Sequence, residues 1–325
     1  MKKISPWLLA VFSGVIGFLG YVGFNQFYLE WVFMVPLLWA IRDKTPGRVF
    51  LLGWLTGTVG HAGGFYWFSH MPTEFAGLTI FFAVIGLILY AAYNGLIFAI
   101  FAWGVNRLQI NKGWPIWWTA PVIWTAIENI YPFIFPNYLG ASQYMLLPLI
   151  QIADVTGILG LSFLVVWCNA MVYTLLENRI MQDKLPVLKL VVFASVIGMI
   201  IVYGTIRIQQ TDAAVAEAPV IKVAMVQAGE GGVGKHKDPW QFVKLHQDLT
   251  RQAISAVSSA DADLVIWPES VLIQPLSRSM EKLPETLFDN YDTRDAAAKN
   301  NMSIASTMFI DRDLKMTDKP RAGYT

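Results

Sequence analysis

The sequence predicts a polytopic α-helical membrane domain followed by a layered α/β domain, and three observations carry that expectation. The first is the distribution of charge. Of the 47 Asp, Glu, Lys and Arg residues in this 325-residue chain, only 17 precede residue 204. The earlier part is thus about 8% charged and the later part about 25%, the usual share in soluble domains. The second is a succession of apolar segments separated by loops whose positive charge alternates. The third is a strand, helix, strand order after residue 220. The expected organisation is a membrane domain over residues 1–208 with about seven helices, a linker over 209–219, and an α/β domain over 220–325.

A membrane-spanning helix needs about 20 mostly apolar residues. Seven segments qualify or come close: 5–23, 27–41, 49–69, 78–105, 114–131, 157–176 and 187–203. The second is short enough to be re-entrant. Short cytoplasmic loops collect Lys and Arg, which supplies an independent check. Lys2 and Lys3 precede the first segment, Arg42, Lys44 and Arg48 follow the second, Arg107 and Lys112 the fourth, and Arg179, Lys184 and Lys189 the sixth. The remaining three loops hold no Lys or Arg. That alternation fits only if all seven segments cross, with the N-terminus cytoplasmic and the residues after Tyr203 outside. Lys2 and Lys3 before an apolar run resemble a signal peptide. No small-x-small cleavage site stands out before Phe24, so an uncleaved anchor is expected.

After the last apolar segment, residues 209–219 (QQTDAAVAEAP) form an Ala-rich polar stretch that reads as the linker. Residues 221–227 (IKVAMVQ) alternate apolar and polar as a strand does. The glycine-rich GEGGVG that follows, beside Lys235, His236 and Lys237, invites comparison with a phosphate cradle. It lacks the Walker spacing and the terminal Gly-Lys-Ser/Thr, and a surface loop is the other reading. Asp238 and Pro239 suit a helix start. Phe242, Leu245, Leu249, Ala253 and Val257 then recur at helical spacing. Residues 264–267 (LVIW) read as a strand covered on both sides. A helix over 293–299 and a strand over 302–310 complete the α/β order. Glu269, directly after the LVIW strand and Pro268, stands where α/β proteins expose reactive groups. A surface glutamate at a strand end is the alternative.

Composition excludes several classes. The chain is 55% hydrophobic and 14% charged, with a net charge of +1, so nothing points to nucleic acid, whose phosphates call for basic residues. One cysteine rules out a disulfide framework and a cysteine-based zinc site. No metal or diffusible cofactor is expected. Ionisable residues in or near membrane segments are costly and often functional. His61, Glu74, Glu128 and Asp154 all lie on or face the expected outer side, where they could hold phospholipid headgroups. For His61 a satisfied interhelical hydrogen bond is the competing reading. Trp114, Trp117, Trp118 and Trp124 suit interfacial anchors.

Taken together, VAMVQ, LVIWPES, GGFYWFSHMP (63–72), PVIWTAIEN (121–129), FPNYLGASQ (135–143) and VTGILGLSFLVVWCNA (155–170) resemble apolipoprotein N-acyltransferase, a bacterial inner-membrane family. Its extracytoplasmic domain belongs to the nitrilase superfamily. The resemblance covers essentially the whole chain and draws its specificity from the conjunction of these pieces. It implies that the α/β part is an incomplete nitrilase-like αββα sandwich (CN hydrolase). It also implies acyl transfer from a membrane phospholipid to the N-terminal amino group of a diacylglyceryl-cysteine on an apolipoprotein. The family uses a Glu, Lys, Cys triad and a thioester intermediate.

Glu269, in WPES, matches the family glutamate as general base. The family lysine follows a segment that begins like Ala322, Gly323, Tyr324, Thr325, and the cysteine lies further on, so the 325 residues alone are expected to be inactive. Neither Lys315 nor Lys319 stands at the lysine position. Cys168, in the middle of the sixth apolar segment, reads as a small apolar side chain rather than a nucleophile. Candidate substrate-binding residues are His61, Glu74, Glu128, Gln143, His236 and Trp240. The chain departs from the family at Tyr131, where an Arg is usual after the membrane glutamate, and at Asn137, where the family has Trp. It departs again at His236 and Lys237, where a tryptophan precedes the Asp-Pro. A non-catalytic paralogue that binds lipid or lipoprotein is the alternative function.

Overall fold

Hydropathy and helix geometry account for most of what forms. The structure, a computed structural model, describes residues 4–229, 239–256, 264–268 and 303–305. It divides into two units, Met1–Ala216 and Glu217–Thr325.

In the first unit the apolar segments become α1 (Pro6–Gly20), α2 (Met34–Ile41), α3 (Pro46–Gly64), α4 (His70–Ala76), α5 (Ile80–Lys112), α6 (Ile116–Ile130), α7 (Leu147–Ile150), α8 (Ala153–Met181) and α9 (Val187–Glu217). By length and composition α5, α8 and α9 can each cross a membrane. Half of the most apolar window of α8 is buried, against 6% in α9, so α8 is central and α9 peripheral. One core cluster joins α1, α2, α3, α5, α6 and α8 through residues such as Leu37, Leu52, Phe101, Trp124 and Tyr173. A second packs Leu161, Leu164, Trp167 and Met171 of α8 against Phe193, Ile197 and Ile200 of α9.

Where the surroundings are as apolar as the side chains, helices associate by close packing more than by the hydrophobic effect, and small residues let them approach. Gly57 of α3 illustrates this: a Cβ there would lie 2.7 Å from Gly95 Cα of α5. A local irregularity in α8 has a different cause. Gly157 has φ 65° and ψ −176°, a combination open to essentially no other residue, and it kinks the helix.

Two expectations need revision. Residues 27–41 do not form one helix. They form a 3-10 turn, Phe27–Trp31, and then α2, whose eight residues span only about 12 Å. The intervening break leaves backbone groups without helical partners, and side chains from elsewhere supply them. Asn169 of α8 donates to Glu30 O at 2.7 Å and accepts from Met34 N at 2.8 Å. Ser13 of α1 donates to Phe33 O at 2.6 Å. The second revision is at residues 209–219, read as a linker: α9 continues unbroken through them to Glu217. Ala213, Ala214 and Ala216 have the strongest helix preference of any residue, and nothing before Pro219 stops the helix. Outside it, Arg207 Nε and Tyr203 OH of α9 donate to the Asp154 carboxylate at 3.0 and 2.8 Å.

The second unit has β1 (Val223–Met225), α10 (Pro239–Ala256), β2 (Leu264–Ile266) and β3 (Ser303–Ala305). The strands are parallel in the order β1-β2-β3, with Ala224 opposite Val265 and Val265 opposite Ile304. Parallel neighbours require crossover connections, and α10 lies in the first of them. The expected helix over 293–299 and the rest of the strand over 302–310 lie outside the described residues. Val226 and Val265 are buried, with Ala224, Leu249 and Trp267 packed on them. The buried stripe of α10 is Phe242, Val243, His246 and Thr250, with Leu245, Leu249 and Ala253 at its flanks.

Candidate functional site

In the second unit the chemistry expected of Glu269 depends on how β2 ends. Glu269 itself, like His236, lies outside the described residues. The two residues before it do not. Trp267 leaves the strand with its indole Nε1 donating to Thr250 Oγ1 of α10 at 2.9 Å. The Thr250 hydroxyl in turn donates to His246 O at 2.7 Å. His246 is fully buried, its Nδ1 donates to Phe242 O at 2.9 Å, and its ring centroid lies 5.9 Å from that of Trp267. A tryptophan N–H usually finds a partner when it is withdrawn from water, and here the acceptor ties the residue that follows β2 to α10. The spacing 242, 246, 250 puts all three α10 residues on one face, towards β2. Trp240 falls in the first turn of α10.

In the first unit, the polar residues picked out by sequence gather at one end of the bundle, among its loops. Glu128 is 1% exposed at the end of α6. Its Oε1 accepts from Leu139 N at 2.7 Å, the first amide of the 3-10 turn Leu139–Gln143. The next amide, Gly140 N, donates to Ser162 Oγ of α8 at 2.8 Å. A helical turn begins with unpaired N–H groups, and a carboxylate is well placed to take one. The same turn ends at Gln143, which is fully buried. Its Oε1 accepts from Trp31 Nε1 at 2.8 Å, while its Nε2 donates to Phe27 O at 3.2 Å and to Ser142 Oγ at 2.8 Å. Gln143 and Asn169 thus hold opposite ends of the broken 27–34 segment.

His61 is buried on α3, where Nδ1 donates to Gly57 O at 2.8 Å. Its ring stacks on Phe65 and meets Tyr21 edge-on. The expected interhelical hydrogen bond is not the one that forms: the partner of His61 is a carbonyl one turn earlier in its own helix. Glu74 is exposed on α4. Cys168 is partly buried midway along α8. Among the described residues no group of three His, Cys, Asp or Glu is arranged to hold a metal ion.

His61 also lines a cavity of ≈ 40 Å³ walled by α1, α3, α5, α6 and the loops at this end. Sequence reasoning missed its most unusual member. Glu30 is 1% exposed, and neither carboxylate oxygen has a hydrogen-bond partner among the described residues. The signal was present, since an ionisable residue inside an apolar segment is a functional candidate by default. Tyr21 and Asn137, joined by a hydrogen bond from the Asn137 amide to the Tyr21 hydroxyl, line the same cavity.

Residues 13–171 match the family model for the apolipoprotein N-acyltransferase N-terminal domain. A protein named apolipoprotein N-acyltransferase from Geobacter metallireducens is 32% identical over 272 residues, covering 81% of this chain and 51% of its own length. Its namesake from Pasteurella multocida is 24% identical over 292 residues, 86% of this chain and 54% of its own. A third relative, apolipoprotein N-acyltransferase 2 of Leptospira interrogans, is 29% identical over 172 residues, 52% of this chain and 28% of its own. The chain spans about half the length of the first two relatives. The Geobacter and Pasteurella alignments are longer than the matched N-terminal domain. Over residues 13–171 the chain matches the apolipoprotein N-acyltransferase N-terminal domain, and over these longer alignments it is similar to proteins of that name, as a part of an apolipoprotein N-acyltransferase would be.

Proposed function

We propose that the protein acts in transferring an acyl chain from a membrane phospholipid to the N-terminal amino group of a diacylglyceryl-modified cysteine on a bacterial apolipoprotein. The observation that carries this reading is the family match over residues 13–171 together with the names of the relatives. The strand β2, held at its end by the Trp267 to Thr250 hydrogen bond and followed by Pro268 and Glu269, supports it.

In this reading the α/β unit is part of a nitrilase-like sandwich and Glu269 is the proton shuttle. The Glu269 carboxylate takes the thiol proton of the family cysteine, and the thiolate attacks the phospholipid ester carbonyl. The family lysine holds the oxyanion, the lysophospholipid oxygen leaves with the proton, and a thioester remains. The acceptor amine then attacks the thioester. Its proton passes through Glu269 to the departing thiolate, which restores the thiol. In this reading that lysine and cysteine belong to the part of the family sequence that corresponds to positions after Thr325. The apolar segments lie in the bacterial inner membrane, residues 27–41 as a broken piece rather than one helix, with the N-terminus cytoplasmic and the second unit extracytoplasmic.

The test is acyl transfer measured on the chain extended to the length of its relatives. Glu269→Gln should lower turnover by about 10²- to 10⁴-fold, the usual contribution of a positioned general base. Unchanged turnover removes Glu269 from the chemistry. Residues 1–325 alone should not turn over, and robust activity there would overturn the triad assignment.

A further inference from the structure

At the end of the bundle opposite Glu128, tryptophan and cationic side chains meet without acidic partners. Trp117 stands in the first turn of α6, about 16 Å from Glu128 along the helix. Lys189 Nζ, from the first turn of α9, lies 5.6 Å from the Trp117 ring centroid. That contact joins two places where the chain turns. The end of α5 and the start of α6 carry Arg107, Lys112 and the pair Trp114 and Trp118, whose ring centroids are 5.3 Å apart. The end of α8 and the approach to α9 carry Arg179 and Lys184. Among the described residues Arg107, Lys112, Arg179, Lys184 and Lys189 make no ion pair, whereas Arg42 has Glu177 at 3.7 Å. Residues 103–118 contain no acid, and residues 179–189 contain only Asp183. The indole N–H groups of Trp117 and Trp118 are accessible and have no acceptor among the described residues. Apolar side chains flank the cations: Ile110, Ile180, Leu185 and Leu188 are each at least 60% exposed.

A lysine stem packs along an aromatic face, and the face orients the ammonium without neutralising it. Unpaired positive charge at the end of helices long and apolar enough to cross a membrane attracts anionic headgroups. The open indole N–H groups add donors suited to phosphate oxygens. A zwitterionic headgroup fits less well, because its own cation meets the same excess of positive charge. Free phosphate would satisfy the cations and leave the flanking apolar side chains uncovered, which acyl chains would cover. We propose that this cluster binds the headgroup of an anionic phospholipid, with Lys189 and Trp117 at its centre. The lipid is held here as a whole molecule and undergoes no reaction. The proposal does not depend on the acyl-transfer reading.

The test uses the 325-residue protein in nanodiscs of choline-headgroup phospholipid containing increasing amounts of phosphatidylglycerol. Tm should rise saturably with the phosphatidylglycerol share, because a ligand that binds only the folded state stabilises it. Lys189→Gln should raise the share needed for half of the effect by about 5-fold, the influence of one basic residue near an anionic surface. Trp117→Leu should raise it by about 2- to 5-fold by removing the cation–π partner. If Trp117→Leu fails to fold, the half-buried Lys189 decides alone. Arg48→Gln removes an equal charge from the start of α3, outside the cluster, and should leave the response unchanged. Inorganic phosphate added to pure choline-lipid nanodiscs should not raise Tm. The proposal is overturned by no saturable response in the wild type or an undiminished response in Lys189→Gln. An equal loss in Arg48→Gln would show diffuse attraction instead of a site, and an equal response to inorganic phosphate would show a free-anion site; either also overturns it.

Discussion

The broken segment 27–34 and the end of β2 set the same problem, an irregular piece of backbone that must point one way, and the two units solve it differently. In the helical unit the solution comes from far away in sequence. Asn169, Gln143 and Ser13 supply partners for the backbone of Phe27, Glu30, Phe33 and Met34. In the α/β unit the sheet ladder supplies the backbone partners, and one chain of hydroxyl and indole hydrogen bonds, Trp267 to Thr250 to His246 O, sets direction. The difference follows from the solvent. Without water to fall back on, every freed backbone group in an apolar surrounding must be met by protein. Where sheet and solvent share that task, a side-chain bond is free to aim a residue.

The largest effect that could break this contrast is at Asn169. Asn169→Leu should destabilise the first unit by about 2 to 6 kcal/mol, because it strands one buried acceptor and one buried donor at about 1 to 3 kcal/mol each. Denaturant unfolding in micelles measures it, and a loss under 1 kcal/mol would mean the break finds other partners. Next is the packing that lets the helices meet. Gly57→Ala, with its Cβ 2.7 Å from Gly95 Cα, should cost about 1 to 3 kcal/mol and lower Tm. Thr250→Val keeps shape and removes the acceptor of Trp267. It should cost about 0.5 to 1.5 kcal/mol in stability. In the extended chain it should lower acyl transfer through kcat more than KM if it positions Glu269. A purely structural role would leave both constants unchanged at temperatures where the variant is folded. The smallest effect is expected at Asp154→Asn, which weakens an exposed pair with Arg207 and should cost less than about 1 kcal/mol. A larger loss would mean that α9, only 6% buried over its most apolar window, depends on this contact.

How much of this was legible beforehand depends on the range of the interaction. The positions of α1, α3, α5, α6, α8 and α9 follow from runs of apolar residues, a local property, and so do β1, α10 and β2. The break at 32–33 was not legible as such, because its cause is a set of hydrogen bonds reaching to Asn169 and Ser13, 135 and 20 residues from their partners Met34 and Phe33. The stretch 209–219 was misread because polarity was taken to end the helix, whereas alanine content prolongs it. At the candidate site, His61 and Glu128 were visible as lone ionisable groups, and what each touches became known only from the fold. Glu30 was equally visible and went unremarked, for nothing in the flanking residues shows that its side chain is buried beside a cavity. The buried stripe of α10 includes His246 and Thr250, which a search for apolar spacing passes over by construction.

The reach of Asn169 also has a bearing on the order of assembly. Met34 leaves the ribosome 135 residues before the side chain that satisfies its backbone amide. At about 5 to 20 residues per second that is an interval of about 7 to 27 s. During it, the bend between Phe27–Trp31 and α2 has Ser13 available but lacks Asn169 and Gln143, so residues 27–34 cannot yet hold their final geometry. The bend is a late event in biosynthesis despite its early place in the chain, and a nascent polypeptide arrested before α8 should expose this segment to translocon and lipid as an unsettled apolar stretch.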